Sequence, residues 1–216
     1  MSTSPARPRV RMTGAQRRQQ LLHIGRELFG QKGYEATSIE EIAAHADVSK
    51  PVVYEHFGGK EGLYAVVVDR EMQTLLGRFT AALSAPGEPR ELLERAALAL
   101  LDYIEEDTDG FRVLTRDAPV SSGGTYSSLI GEVARKVEHI LASQFDPGRY
   151  DPRLAALYSQ ALVGMVALVG QWWLDERSPG KHEVAAHLVN LAYNGLAHLD
   201  PEPHLADGAA RPAAEA

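Results

Sequence analysis

The chain has 216 residues, 24% of them charged, a formal net charge of −7 and no cysteine. The missing thiols exclude a disulfide framework, thiolate nucleophiles and metal–thiolate sites, and the length suits two helical units better than one large core. No leader with an apolar centre and no long apolar span is read, so the expected location is the cytoplasm, with no membrane partner.

The charge is unevenly placed. Residues 1–62 hold nine Lys and Arg against seven Asp and Glu, a surplus of +2, which leaves −9 for the remainder. A positive field at one end is what a phosphate backbone would meet. The chain opens with a Ser/Pro-rich basic arm, residues 1–12, carrying Arg7, Arg9 and Arg11. It is expected to be disordered, and an arm entering a minor groove is the functional alternative.

Residues 17–34, RRQQLLHIGRELFGQKGY, read as a helix, and residues 37–64 then write two short helices and a tight turn. Thr37 or Ser38 can cap the first, and Glu40 or Glu41 can complete a capping box. Ile39, Ile42, Ala43 and Ala46 recur at helical spacing and make one apolar face. Asp47 tolerates the left-handed conformation that reverses the chain, and Val48 plugs the corner. Ser49 offers a second cap, Pro51 suits a first helical turn, and Val53 and Phe57 stand four apart on an inward face. This is the helix-turn-helix plan.

The outer side of the second helix carries Lys50, Pro51, Val52, Tyr54 and His56, with Lys60 just beyond. A cation, a hydroxyl and an imidazole can donate to phosphate, and a small apolar surface can meet a thymine methyl. Tyr54 and His56 could instead only close a small core. Thr37, Ser38 and Ser49 could be plain caps, or caps whose helix N-termini also present amides to phosphate. The candidate DNA-contacting set is therefore Thr37, Ser38, Ser49, Lys50, Pro51, Val52, Tyr54, His56 and Lys60.

The pattern of Tyr54, His56, Phe57, Lys60 and Leu63, preceded by the helix at 17–34, resembles the DNA-binding domain of the TetR family of bacterial regulators, over roughly residues 13–64. Two departures stand out. Asp47 sits where the family commonly has Gly, and Pro51 and Val52 replace a frequent Gly-Thr pair, so operator preference does not carry over. The resemblance implies a homodimeric transcriptional regulator, most simply a repressor, that binds a double-stranded DNA operator and leaves it when a small-molecule effector enters a second helical domain. The competing class is a helical small-molecule-binding or adaptor protein that does not use DNA.

Everything after residue 62 is helical in pattern. Residues 59–83 read as a long connecting helix stopped by Pro86-Gly87, followed by helices at 91–106 and around 110–116, a loop at 119–125, and a helix at 127–145 closed by Asp146-Pro147-Gly148. Asp151-Pro152 and Ser178-Pro179 each read as a cap with a first-turn proline, opening the last two long helices. No segment alternates with period two, so the fold class is all-α with about nine helices: a three-helix domain at 13–62, a ligand-binding and dimerisation domain at 63–200, and a disordered tail at 201–216.

From Leu154 to Leu174 the chain is apolar on nearly all sides, with Gly164, Ala167 and Gly170 permitting close helix approach. Such a helix must be covered all round. A second copy is the simplest cover, paired with the final helix through Val184, Leu188, Leu191 and Leu196; a buried core helix is the plainer reading. In the resembling family the two C-terminal helices build a four-helix dimer interface, and a ligand pocket lies among the middle helices. Tyr103, Phe111, His139, Tyr158, Trp172 and Trp173 are large enough to line such a pocket and equally able to be core.

Enzyme signals fail on spacing. His182 and His187 stand five apart rather than the four a zinc-protease helix needs, and Gly58–Gly62 lacks both the P-loop spacing and a preceding strand. No enzyme activity, metal or cofactor is expected.

Overall fold

The computed structural model describes residues 12–116, 126–144, 151, 153–200 and 202–204. The basic arm up to Arg11, the loop at 119–125, the Asp146-Pro147-Gly148 turn, Pro152 and most of the tail lie outside the described residues. Among those described there are nine α-helices and no strand. They are α1 Gly14–Lys32, α2 Ile39–His45, α3 Lys50–Phe57, α4 Lys60–Ser84, α5 Pro89–Glu106, α6 Thr108–Thr115, α7 Tyr126–Gln144, α8 Leu154–Glu176 and α9 Lys181–Ala197.

α1 begins with a capping box in which Thr13 and Gln16 satisfy each other's backbone amides. α2 has no such box. Ser38 is its cap and accepts from the Glu41 amide at 3.2 Å, but the Glu41 carboxylate pairs with Lys32 of α1 instead of reaching back. Thr37 is not the cap; it is 2% exposed, with its hydroxyl against the carbonyls of Gly33 (2.8 Å) and Leu28 (3.3 Å). Asp47 carries φ 52°, the left-handed conformation the turn required. Leu21, Ile42, Val53 and Leu63, one from each of α1 to α4, are fully buried and close this small core. Each contributes roughly 1.5–3 kcal/mol.

α4 runs 25 residues from this unit into the remaining bundle and packs on α5, α6 and α7. α5 starts two residues earlier than its sequence pattern indicates, at Pro89, because Glu88 and Glu91 form a capping box around the proline. The two later proline devices differ from expectation. Asp151 does not cap α8; it binds the amide and guanidinium of Arg153, which takes the cap position. Pro179 does not open α9, whose cap is Gly180; its carbonyl instead accepts from the Trp173 indole at 2.8 Å.

α8 corrects the expectation of no long apolar span. It has 23 residues and a mean hydropathy of 1.5 over 18 of them, long and apolar enough to cross a membrane by length and composition. It packs along α7 and against α5, burying Ala155, Ser159, Ala167, Gly170 and Trp173. α9 lies along α5.

Candidate nucleic-acid interface and effector cavity

α3 is held by its inward residues and exposes the rest. Val53 is fully buried and Phe57 packs against the core, with the Arg18 guanidinium 4.3 Å from its ring. Gly58 ends the helix in the left-handed conformation, φ 73°, and returns its amide to the Tyr54 carbonyl. Gly62 faces the Phe57 carbonyl so closely that any Cβ there would collide with it. The α3–α4 corner is therefore tight, and it sets Lys60 beside the end of α3.

The candidate residues distribute as follows. Ser38, Ser49, Lys50, Pro51 and Tyr54 are exposed, Val52, His56 and Lys60 are half-buried, and Thr37 alone is inside. The Thr37 hydroxyl is therefore removed from the surface set, its two carbonyl contacts being structural. Ser49 sits at the cap position of α3, yet its hydroxyl makes no cap hydrogen bond, which leaves an oxygen at the surface. Lys50 pairs with Glu40 of α2, and that hydrogen bond holds the Glu40 carboxyl below its usual range. Lys60 lies 4.1 Å from the centre of the Tyr34 ring and 3.4 Å from the Glu35 carbonyl, so its ammonium is aimed rather than free to swing. The sequence reading missed Arg17 and Gln20, which donate to the Ala46 carbonyl and secure the α2 end of the turn. Arg17 and Gln20 lie 26–29 residues before that carbonyl, and no local pattern joins them to it.

The second feature is a cavity of about 390 Å³ among α4, α5, α7, α8 and α9. Its wall is carbon nearly throughout, with Phe79, Leu100, Leu129, Val133, Val166 and their neighbours, and Tyr126, Gln144 and Tyr193 supply its polar side chains. Burial pushes the Tyr126 hydroxyl above its usual range, so it stays a neutral hydrogen-bonding group. None of the six large side chains picked from the sequence is in this wall. Tyr103 and Phe111 are fully buried core, Trp173 is anchored to Pro179, and His139 and Trp172 face outward.

A third feature lies on the outside of α8. Leu157, Ala161, Leu168 and Trp172 are exposed at helical spacing, and nothing lies within 4 Å of where a Cβ on Gly164 would stand. On α9, Leu191 is 65% exposed, whereas Val184 and Leu188 are buried within the protomer, so those two are not the exposed face the sequence suggested.

Comparison with known proteins agrees with both halves of the chain. Residues 21–67 match the family model described as bacterial regulatory proteins, tetR family, and residues 78–208 match the tetracyclin repressor-like C-terminal domain. The chain is 32% identical over 194 residues to the transcriptional activator FasR of Mycolicibacterium smegmatis, covering 88% of this chain and 87% of that one. It is 36% identical over 112 residues, 47% of this chain and 57% of the other, to a transcriptional repressor of Mycobacterium tuberculosis. A crystal structure of a TetR-like transcriptional regulator from Rhodococcus sp. RHA1 superimposes with a TM-score of 0.70 at 29% identity, over 88% of this chain and all of that one. With a helix-turn-helix in front and a family model covering more than half of its length behind, the chain belongs to the TetR family of bacterial transcriptional regulators.

Proposed function

We propose that this chain is a cytoplasmic, homodimeric regulator that binds a double-stranded DNA operator through α3 and is released by an apolar small molecule held in the α4–α9 cavity. The observation that carries the reading is the division of α3: Val53 and Phe57 hold it to the core while Lys50, Pro51 and Tyr54 stand outward with Ser38, Ser49, His56 and Lys60 around them. Lys60, His56 and the hydroxyls meet phosphate, and Lys50, Pro51, Val52 and Tyr54 face base edges. The exposed stripe of α8 with Leu191 of α9 supports the dimer, since an apolar face of this length is covered in a stable soluble assembly. The cavity volume falls within the roughly 300–1,000 Å³ of small-molecule sites, and its carbon wall selects an apolar body with one or two hydrogen-bonding groups.

Whether DNA release relieves or ends transcription depends on where the operator lies relative to the promoter, which is a property of the DNA. A relative named as an activator and one named as a repressor both match this chain. An operator overlapping the promoter would make this chain a repressor.

The test is enrichment of a random duplex pool by the purified protein. A TetR-type regulator selects an inverted repeat and binds it with steep salt dependence. Failure to enrich any sequence, with retained binding of apolar compounds, would favour the helical small-molecule-binding protein that does not use DNA.

A further inference from the structure

Two arginines grip the same short turn from opposite sides. The turn joins α5 to α6, residues 104–110, and Asp107 is at once the C-cap of α5 and the N-cap of α6. Arg26 of α1 donates to the Asp107 carboxylate at 2.5 Å, and the same guanidinium nitrogen lies 3.8 Å from Glu71 of α4. Gly30 of α1 meets the Asp109 backbone so closely that a Cβ would stand 2.7 Å from its carbonyl oxygen. The turn therefore moves with α1. On the other side, Arg177 at the end of α8 donates to the Ile104 carbonyl at 3.2 Å and the Thr108 hydroxyl at 2.8 Å.

α8 also lines the cavity, through Leu162, Val163, Val166 and Ala167. One turn further on, Gly170 is packed so tightly on Leu100 and Ile104 that a Cβ would stand 2.6 Å from the Leu100 side chain. A displacement of α8 at the cavity cannot be absorbed there by sliding. Interiors packed this closely shift between discrete arrangements rather than deforming smoothly.

Resting on the effector reading above, we propose that the α5–α6 turn, held by Arg177 from the cavity helix and by Arg26 from the DNA-reading unit, is the element that converts cavity occupancy into movement of α1 and loss of DNA binding. Residues 104–110 are not among those lining the cavity and do not belong to α3, so Arg26 and Arg177 act as positioning residues. The polar grip opposes small slips of the turn, because loosening Arg26 takes from the partly buried Asp107 and Glu71 carboxylates the cation they share.

The experiment needs no identified effector, because a bulky side chain can occupy the cavity. Val133→Trp and Ala96→Phe are each made in the wild type and in Arg177→Gln, and affinity is measured by fluorescence anisotropy for a duplex enriched by the wild-type protein. Each filler alone is expected to lower DNA affinity about tenfold or more, and by less than about twofold in Arg177→Gln, a coupling defined by the cycle. Thr108→Val, which removes the hydroxyl that accepts from Arg177 and donates to the Ile104 carbonyl, should reduce the filler effect, and Arg177→Lys should restore much of it. A merely structural role for Arg177 would lower the melting temperature and leave the filler effect intact, which overturns the proposal. If neither filler changes affinity in the wild type, effector release itself is wrong and the transmission element falls with it.

Discussion

The helix-turn-helix unit and the cavity among α4, α5, α7, α8 and α9 are both helical, but their parts lie at very different distances along the chain. Residues 37–64 supply the cap, turn, inward anchors and outward donors of α2 and α3 within one short stretch. The cavity wall is drawn from α4 to α9, from Phe79 to Leu199. Local spacing can therefore specify the first surface, whereas the second exists only once five helices are packed. Substitutions should separate the two, with inward changes in α3 silencing DNA while sparing the cavity and cavity changes reaching DNA only through the junction.

The largest effect is expected for Val53→Asp. A carboxylate placed at a fully buried position costs several kcal/mol, enough to unfold the α1–α3 core. DNA binding should vanish in gel-shift assays while the α4–α9 helices keep most of the circular dichroism signal. Loss of both together would show that the two regions do not fold as separable units.

Next in size is Leu168→Arg, on the exposed α8 stripe. It should yield monomers by sedimentation and cut operator affinity by about a hundredfold, because two half-sites no longer bind as one. Leu188→Arg is a poorer probe, since Leu188 is buried against the protomer's own core and its loss is a folding defect. A Leu168→Arg protein that remains dimeric removes the stripe from the interface.

That contrast shows what was legible. Periodicity found every helix, and the residues around Asp47 and Pro51 gave the turn and the outward set, because capping, left-handed tolerance and i, i+4 pairing are local effects. It failed at Thr37, whose hydroxyl is claimed by carbonyls of the preceding segment, and at Asp151 and Ser178, each of which stands two residues before the residue that takes the cap position. Tyr103 and Phe111 looked like pocket walls because size and apolarity are the same in a core and at a cavity surface. Nothing in sequence spacing marks Val133 or Leu162 as facing empty space.

Glu71 gives a smaller effect that sharpens the boundary between the regions. Burial is the main cause that raises its carboxyl above the usual range, with Asp107 adding to it, while the Tyr103 hydroxyl bond at 2.6 Å and Arg26 act against it. An acid whose folded pKa is raised binds its proton more tightly in the folded chain, so its contribution is present below the unfolded value of about 4.3 and is lost as pH rises through the folded value. The melting temperature of the wild type relative to Glu71→Gln should therefore fall as pH is raised from about 4 upward. A pH-independent difference would contradict the raised pKa.

The smallest predicted change is in Lys60→Ala. Removing one phosphate contact per protomer, two per bound dimer, should weaken binding to all duplexes alike and flatten the salt dependence by about two units of slope. Val52→Ala should instead alter sequence preference and leave non-specific binding unchanged.

The central claim is that a dimer reads DNA with two copies of α3. Its most direct measurement is the sequence and footprint of the duplex that the protein enriches from a random pool. The expected duplex is an inverted repeat whose half-sites are bound on one face, with centres about 34–36 Å apart or a multiple of that, and its protection disappears in Val53→Asp. Enrichment of a single, unrepeated site by a monomer, or no enrichment at all, would contradict it.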